Sequence, residues 1–174
     1  FFTLILHLAT ALSALIYFWN DVKKIILSIC MLKRDENLHF SLMILISMIP
    51  AGFVGFFYED KINELFNGNL LLVGSMLILT SILLFISDKI NKLNKKLSPL
   101  NSLLIGISQA LAILPGISRS GSTIATSIFL GINRDLAAKF SFLMVIPVIV
   151  GSSIKMILFD DIVFDNTILI NYII

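Results

Sequence analysis

Apolar residues dominate four long stretches of the chain, 1–19, 39–57, 69–87 and 140–159, with short polar connections between them. Each stretch is close to the roughly 20 residues that carry an α-helix across the hydrocarbon core of a bilayer. Two further apolar runs, 100–114 and 122–130, are too short to cross alone and meet at a Pro-Gly pair. Half-helices joined at such a break are tolerated at membrane depth only where protein or a cavity surrounds them. The pattern predicts an all-α, polytopic membrane protein with about four transmembrane helices plus a re-entrant helical hairpin over 100–131, within one integral-membrane domain covering 1–174. Tyr17 and Trp19 sit like interfacial aromatics at the end of the first run. Pro50, Gly52 and Gly55 are expected to kink or thin the second span and let neighbours pack closely. The connection 20–38 is expected to be polar, with an interfacial turn of helix near 25–32.

Composition and charge agree with the membrane reading. Hydrophobic residues make up 57% of the chain and charged residues 14%, far too little polar surface for a soluble globule of this size. The net charge of +2 offers no electrostatic case for a nucleic-acid partner. Cys30 is the one cysteine, so no intramolecular disulfide can form. Lys23, Lys24, Lys33 and Arg34 mark the first connection as cytoplasmic, and Lys89, Lys92, Lys95 and Lys96 do the same for the third. Glu59, Asp60 and Glu64 fall between them, on the opposite face, as solvated carboxylates. A hairpin over 100–131 returns Arg134 and Lys139 to the cytoplasmic side, whereas one continuous kinked crossing puts them outside, so charge favours the hairpin. Lys155 is expected to snorkel from the end of its span. The chain opens on Phe1 inside an apolar run and closes inside another, 167–174, which leads us to expect a fragment of a longer protein.

The chemistry concentrates in Pro115-Gly116-Ile117-Ser118-Arg119-Ser120-Gly121, followed by Ser122 and Thr123. Pro115 interrupts the helical ladder, Gly116 and Gly121 permit unusual backbone, and several N–H groups should be exposed together as an anion-binding nest. Any of Ser118, Ser120, Ser122 and Thr123 could cap the helix that follows, whose N-terminus carries partial positive charge. Arg119 adds a planar fork matched to phosphate oxygens, and an arginine carried into a hydrophobic environment is expensive unless it has a task. The plainer reading is a simple loop whose Arg119 snorkels to a headgroup while the serines satisfy backbone groups. No Walker-type Gly-x-x-x-x-Gly-Lys is present. His7 lies within the first run, as a proton carrier or as a hydrogen-bonding partner of a neighbouring helix.

Gln109, Ala110 and Ala112, then Pro115 to Thr123, and onward through Arg134, Ala137, Phe140-Ser141-Phe142-Leu143 and Ile146-Pro147, resemble the second signature region of the bacterial undecaprenyl-diphosphate phosphatases, the bacitracin-resistance family. The likeness extends to His7-Leu8-Ala9 with Tyr17-Phe18, and to Ile49-Pro50-Ala51-Gly52 through Gly55, Glu59-Asp60 and Leu65-Phe66. The pairing of Phe40-Ser41 and Ile49-Pro50 with Phe140-Ser141 and Ile146-Pro147 is a faint echo at unequal spacing.

That resemblance implies hydrolysis of undecaprenyl diphosphate to undecaprenyl phosphate and inorganic phosphate. The reaction recycles the lipid carrier for peptidoglycan synthesis and confers bacitracin resistance, and the enzyme sits as a multi-pass protein in the bacterial cytoplasmic (inner) membrane. It implies catalytic roles for Arg119 and Ser118, and substrate binding by Ser118, Arg119, Ser120, Gly121 and Thr123. It also implies a divalent metal, magnesium or calcium, whose ligands belong to an earlier signature of paired glutamates, serines and a histidine not found in this sequence. No metal-binding residue is expected here, and the fragment alone is expected to be inactive. Partners are the polyprenyl diphosphate and membrane lipid, with a homo-oligomer left open. The alternative function is a polyprenyl-phosphate transporter or flippase, since broken helices facing an anion also serve transport. A structural scaffold would leave Arg119 unexplained.

Overall fold

Helix starts are set by side-chain caps, and these fix the order of elements. The structure is a computed structural model that describes residues 2–31, 35–58, 62, 70–91 and 94–159, with the backbone alone for 2–5, 7, 8 and 152–159. Seven α-helices are described: α1 Phe2–Tyr17, α2 Trp19–Cys30, α3 Glu36–Phe57, α4 Leu70–Asp88, α5 Pro99–Leu111, α6 Arg119–Phe129 and α7 Arg134–Phe159. Asp35 caps α3 by accepting from the N–H groups of Asn37 (3.1 Å) and Leu38 (2.9 Å). Ser98 caps α5, with Pro99 in the first turn where its missing N–H is harmless. Asn133 accepts from the Leu136 N–H at 2.8 Å and so starts α7 at Arg134, ahead of the apolar run expected from 140.

The all-helical expectation holds among the described residues, where the nearest thing to a strand is an isolated parallel bridge between Lys95 and Ile132. Two described helices, α3 and α4, are long and apolar enough to cross a membrane. Burial along α4 is inverted relative to a helix of a soluble protein. The buried residues of α4 are Thr80 and Ser87, while Leu70, Leu71, Ile78 and Phe85 are exposed. Apolar side chains outside and hydroxyls inside are what a lipid solvent demands. The chain is a membrane protein.

The connection 20–38 differs from expectation. Helix begins at Trp19, soon after α1 ends, because Val22 and Ile25 lie on one face and pack against the core while Ser28 is buried below them. The core collects Met43 and Ile44 of α3, Ile105 of α5, Ile128 of α6, and Phe140, Leu143 and Met144 of α7. Phe40 meets Phe140 edge to face with ring centroids 5.6 Å apart, a favoured aromatic geometry that joins the starts of α3 and α7.

Close packing comes from a glycine other than those expected. A Cβ at Gly52 or Gly55 would meet nothing within 4 Å among the described residues, so these residues open space instead of closing it. At Gly106 a Cβ would lie 2.3 Å from the Ser47 carbonyl oxygen, which locates the tight crossing of α5 on α3. Small residues at crossings let helix backbones approach in this way.

One end of the bundle is tied together. Lys139 pairs with Asp21, Arg134 donates to the Asp88 carbonyl oxygen (2.6 Å), and the His39 ring lies 3.3 Å from the Leu97 carbonyl oxygen. The Lys95 N–H donates to the Gly131 carbonyl oxygen at 2.9 Å, so the segment 96–131 leaves and re-enters the same end. Gly131 stops α6: at φ +87° it occupies the left-handed region, its N–H reaches the Ile128 carbonyl (2.9 Å) and the Ile132 N–H reaches that of Ser127 (3.0 Å). This is a Schellman ending. Glu59, Asp60, Glu64, Lys33, Arg34, Lys92 and the acidic residues from 160 onward lie outside the described residues, as do the side chains of His7 and Lys155.

Candidate functional site

The break between α5 and α6 is a turn that the sequence dictates. The Ile117 N–H donates to the Leu114 carbonyl across Pro115 and Gly116 (3.3 Å), and Gly116 has φ +92°. Proline at the second position and a left-handed glycine at the third define a type II turn. Gly116 is constrained twice over, because a Cβ there would lie 2.4 Å from the Val73 carbonyl oxygen of α4. The turn therefore seats against α4 with no room for a side chain.

Of the four candidate caps, Ser118 is the one used. Its Oγ accepts from the Gly121 N–H at 3.1 Å, and its own N–H donates to Thr80 Oγ1 at 3.3 Å. Helix α6 thus begins at Arg119, ahead of the apolar run from 122. The Ser122 N–H is taken by the Ser118 carbonyl (2.9 Å), which leaves the N–H groups of Arg119 and Ser120 without a protein partner among the described residues. Such first-turn donors are where anions settle on helices. Ser118 is exposed, and its hydroxyl proton is free of the cap because the oxygen accepts there.

Gly121 and Thr123 stand differently. The Gly121 N–H is committed to Ser118, and a Cβ at Gly121 would lie 3.0 Å from Thr80 Cγ2, so this glycine lets α6 approach α4. Thr123 is fully buried; its hydroxyl donates to the Arg119 carbonyl oxygen (2.9 Å) and lies 2.6 Å from Ser141 Oγ of α7. It holds the first turn of α6 from behind. Thr126 Oγ1 donates to Ser108 Oγ (2.9 Å), linking α6 to α5.

Arg119 points into a cavity of about 440 Å³ walled by α3, α5, α6 and α7, among them Ala51, Gly52, Gly55, Pro147 and Gly151. Two of its lining side chains carry nitrogen or oxygen: Arg119 and Gln109. Gln109 is 1% exposed, and neither its Nε2 nor its Oε1 has a hydrogen-bond partner among the described residues. Sequence reading placed Gln109 only within a motif. The signal that could have singled it out is a carboxamide set in the apolar run 103–114. A second cavity of about 470 Å³, lined by Ile49, Phe53, Ile107, Leu111 and Leu114, is almost wholly apolar and shares Ile113 with the first.

These donors suit an anion. A guanidinium, hydroxyls, free N–H groups and a carboxamide offer little to a divalent cation, which wants carboxylate oxygens. Among the described residues no three His, Cys, Asp or Glu side chains come together.

Fold and site define a helical membrane protein in which Arg119 and Gln109, one from each arm of a broken helix pair, line a cavity that Ser118 and Ser120 do not. The chain belongs to the family described as bacitracin resistance protein BacA, whose sequence model matches residues 1–173. It is similar to the undecaprenyl-diphosphatase of Christiangramia forsetii, with 48% identity over 166 residues, 95% of this chain and 63% of that protein. The undecaprenyl-diphosphatase of Bacteroides thetaiotaomicron is 42% identical over 169 residues, 94% of this chain and 64% of that protein. That of Methanococcus vannielii is 41% identical over 153 residues, 86% of this chain and 60% of that protein. The chain spans somewhat less than two thirds of the length of these curated relatives.

Proposed function

We propose that this chain forms the phosphate-binding part of an undecaprenyl-diphosphatase, a multi-pass enzyme of the bacterial cytoplasmic membrane that recycles the lipid carrier of peptidoglycan synthesis. The observation that carries the reading is Arg119 at the start of α6, facing a cavity of about 440 Å³ whose lining, Gln109 apart, is otherwise apolar. The diphosphate lies against the Arg119 guanidinium, the hydroxyls of Ser118 and Ser120, and the two free N–H groups of the first turn. Gly121 and Thr123 serve the same site by shaping that turn. The neighbouring apolar cavity, which shares the lining residue Ile113, takes the first part of the prenyl tail. In this placement 100–131 is a re-entrant hairpin, and α1, α3, α4 and α7 are the spans.

In the reaction a water oxygen bonds to the terminal phosphorus and the bond from that phosphorus to the bridging oxygen breaks, giving undecaprenyl phosphate and inorganic phosphate. Charge accumulates on the equatorial and leaving oxygens. Arg119 offsets it from a fixed position, and Ser118 donates a hydrogen bond to the same group; preorganised electrostatics of this kind supply most of the catalysis in phosphoryl transfer. The described residues do not fit the divalent metal that the resemblance implies, so no step here is routed through one.

The test is phosphate release from undecaprenyl diphosphate by the full-length parent in detergent with magnesium. Arg119→Ala should lower kcat/KM at least about a hundredfold while the protein stays folded. A folded parent that releases no phosphate, yet moves polyprenyl phosphate across sealed vesicles, would replace hydrolysis by transport.

A further inference from the structure

We propose that Gln109 is a substrate-binding residue whose carboxamide, carried by α5, grips the same phosphate as Arg119. This rests on the phosphate site proposed above and adds a ligand to it from another helix. Burying a primary amide with no partner is costly, and native interiors rarely tolerate it. Gln109, on the helix preceding the Pro-Gly turn, lines the Arg119 cavity, and its two polar atoms are buried and unpaired among the described residues, so a turn of the side chain brings the carboxamide to a guest. Arg119 apart, the wall around it is apolar or glycine, and at Gly52, Gly55 and Gly151 a Cβ would meet nothing within 4 Å among the described residues. The cavity therefore has room for a polar guest and two side chains to hold it.

The chemistry also selects this residue type. Nε2 donates to a phosphoryl oxygen, and Oε1 accepts from a protonated phosphoryl oxygen or a bound water. A carboxylate here would set a negative charge beside an anionic guest, and an ammonium would add charge that holds the product. A neutral amide adds grip and orientation without either effect.

The experiment uses the full-length protein in detergent and two readouts: the rise in unfolding temperature produced by pyrophosphate, and KM and kcat for phosphate release. Gln109→Met keeps the length of the side chain and removes both polar atoms. We expect its unfolding temperature without ligand to equal or exceed the parent's, the rise with pyrophosphate to vanish, and KM to increase about tenfold or more, the loss of a hydrogen bond to a charged group. Gln109→Glu should be weaker still at neutral pH and recover relative to the parent as pH falls, because the introduced carboxyl donates a hydrogen bond only when protonated. A structural role predicts the reverse: Gln109→Met misfolds or melts earlier without ligand, or keeps its KM and its response to pyrophosphate. Either result overturns the proposal. Loss of the pyrophosphate response in both Gln109→Met and Arg119→Ala, with no phosphate release by the parent, would sink the phosphatase reading and leave the shared anion site standing. A parent that releases phosphate but loses nothing in Gln109→Met would sink this inference alone.

Discussion

The hydroxyls of Thr123 and Ser141 lie 2.6 Å apart, both buried, and join α6 to α7 directly behind Arg119. Thr123 Oγ1 also lies within hydrogen-bond reach of the carbonyl oxygens of Arg119 (2.9 Å) and Ser120 (3.2 Å), and either hydroxyl can donate between Thr123 and Ser141. Thr123→Val keeps the volume and removes the hydroxyl, and should destabilise the full-length protein by about 1–3 kcal/mol. Thr123→Ser should restore most of the loss. Thermal unfolding in detergent checks both, and an unchanged Thr123→Val would show that the pair carries no weight.

Gly116 should tolerate no side chain. Gly116→Ala forces a Cβ into the left-handed region at φ +92° and against the Val73 carbonyl oxygen at 2.4 Å. Strain and overpacking of this kind each cost roughly 1–3 kcal/mol. The variant should express poorly or melt early, and a Gly116→Ala protein with the parent's unfolding temperature would contradict the seating of the turn on α4.

Gly55 presents the opposite case. A methyl group there enters open space, so Gly55→Ala should leave stability unchanged or raise it, since alanine is the better helix former by about 1 kcal/mol. Gly55→Leu should fill part of the cavity in front of Arg119 and raise KM for the lipid diphosphate while the unfolding temperature holds. Equal KM values for Gly55→Leu and the parent would place the substrate elsewhere.

Asp35 makes one contact of α2 with α3 sensitive to pH. Its carboxyl is held below the ordinary carboxylate range, first by the hydrogen bond from the Ser28 hydroxyl and then by the Leu38 N–H. Because the folded-state value is depressed, the stabilisation is present above the unfolded-state pKa of about 4 and is lost as pH falls through the folded value. The gap in unfolding temperature between the parent and Asp35→Asn should therefore be full at neutral pH and close in acid. Ser28→Ala should move that closure to higher pH, and a gap independent of pH would refute the assignment.

What the sequence made legible follows from which interactions are local. Apolar run lengths located α3 and α4 to within a few residues, and Pro115-Gly116 announced a turn whose type is specified by its own short stretch of chain. The starts of α6 and α7 lay earlier than the apolar runs because Ser118 and Asn133 cap them, a hydrogen bond that hydropathy does not register. The start of helix α2 was hidden by its lysines, and the sequence showed only a turn near 25–32, because Val22, Ile25 and Ser28 face inward while Ile26, Leu27 and Ile29 are exposed. Gly106 could not be told from Gly52 by sequence alone, since only the crossing of α5 over α3 decides which glycine meets a backbone. Gln109 needed the same tertiary information: a carboxamide becomes informative once its surroundings offer it no partner.

The bond from Lys95 to Gly131 bears on how the protein is assembled. At about 1.5 Å per residue, the 13 residues of α5 and the 11 of α6 extend about 20 and 17 Å, short of the roughly 30 Å of hydrocarbon. Neither can be left in a bilayer by itself during synthesis. In the re-entrant placement proposed above, the two enter as a pair after α4 is in place to receive Gly116, so biogenesis of the site waits on its neighbours, and the order of insertion becomes part of how the arginine reaches its depth.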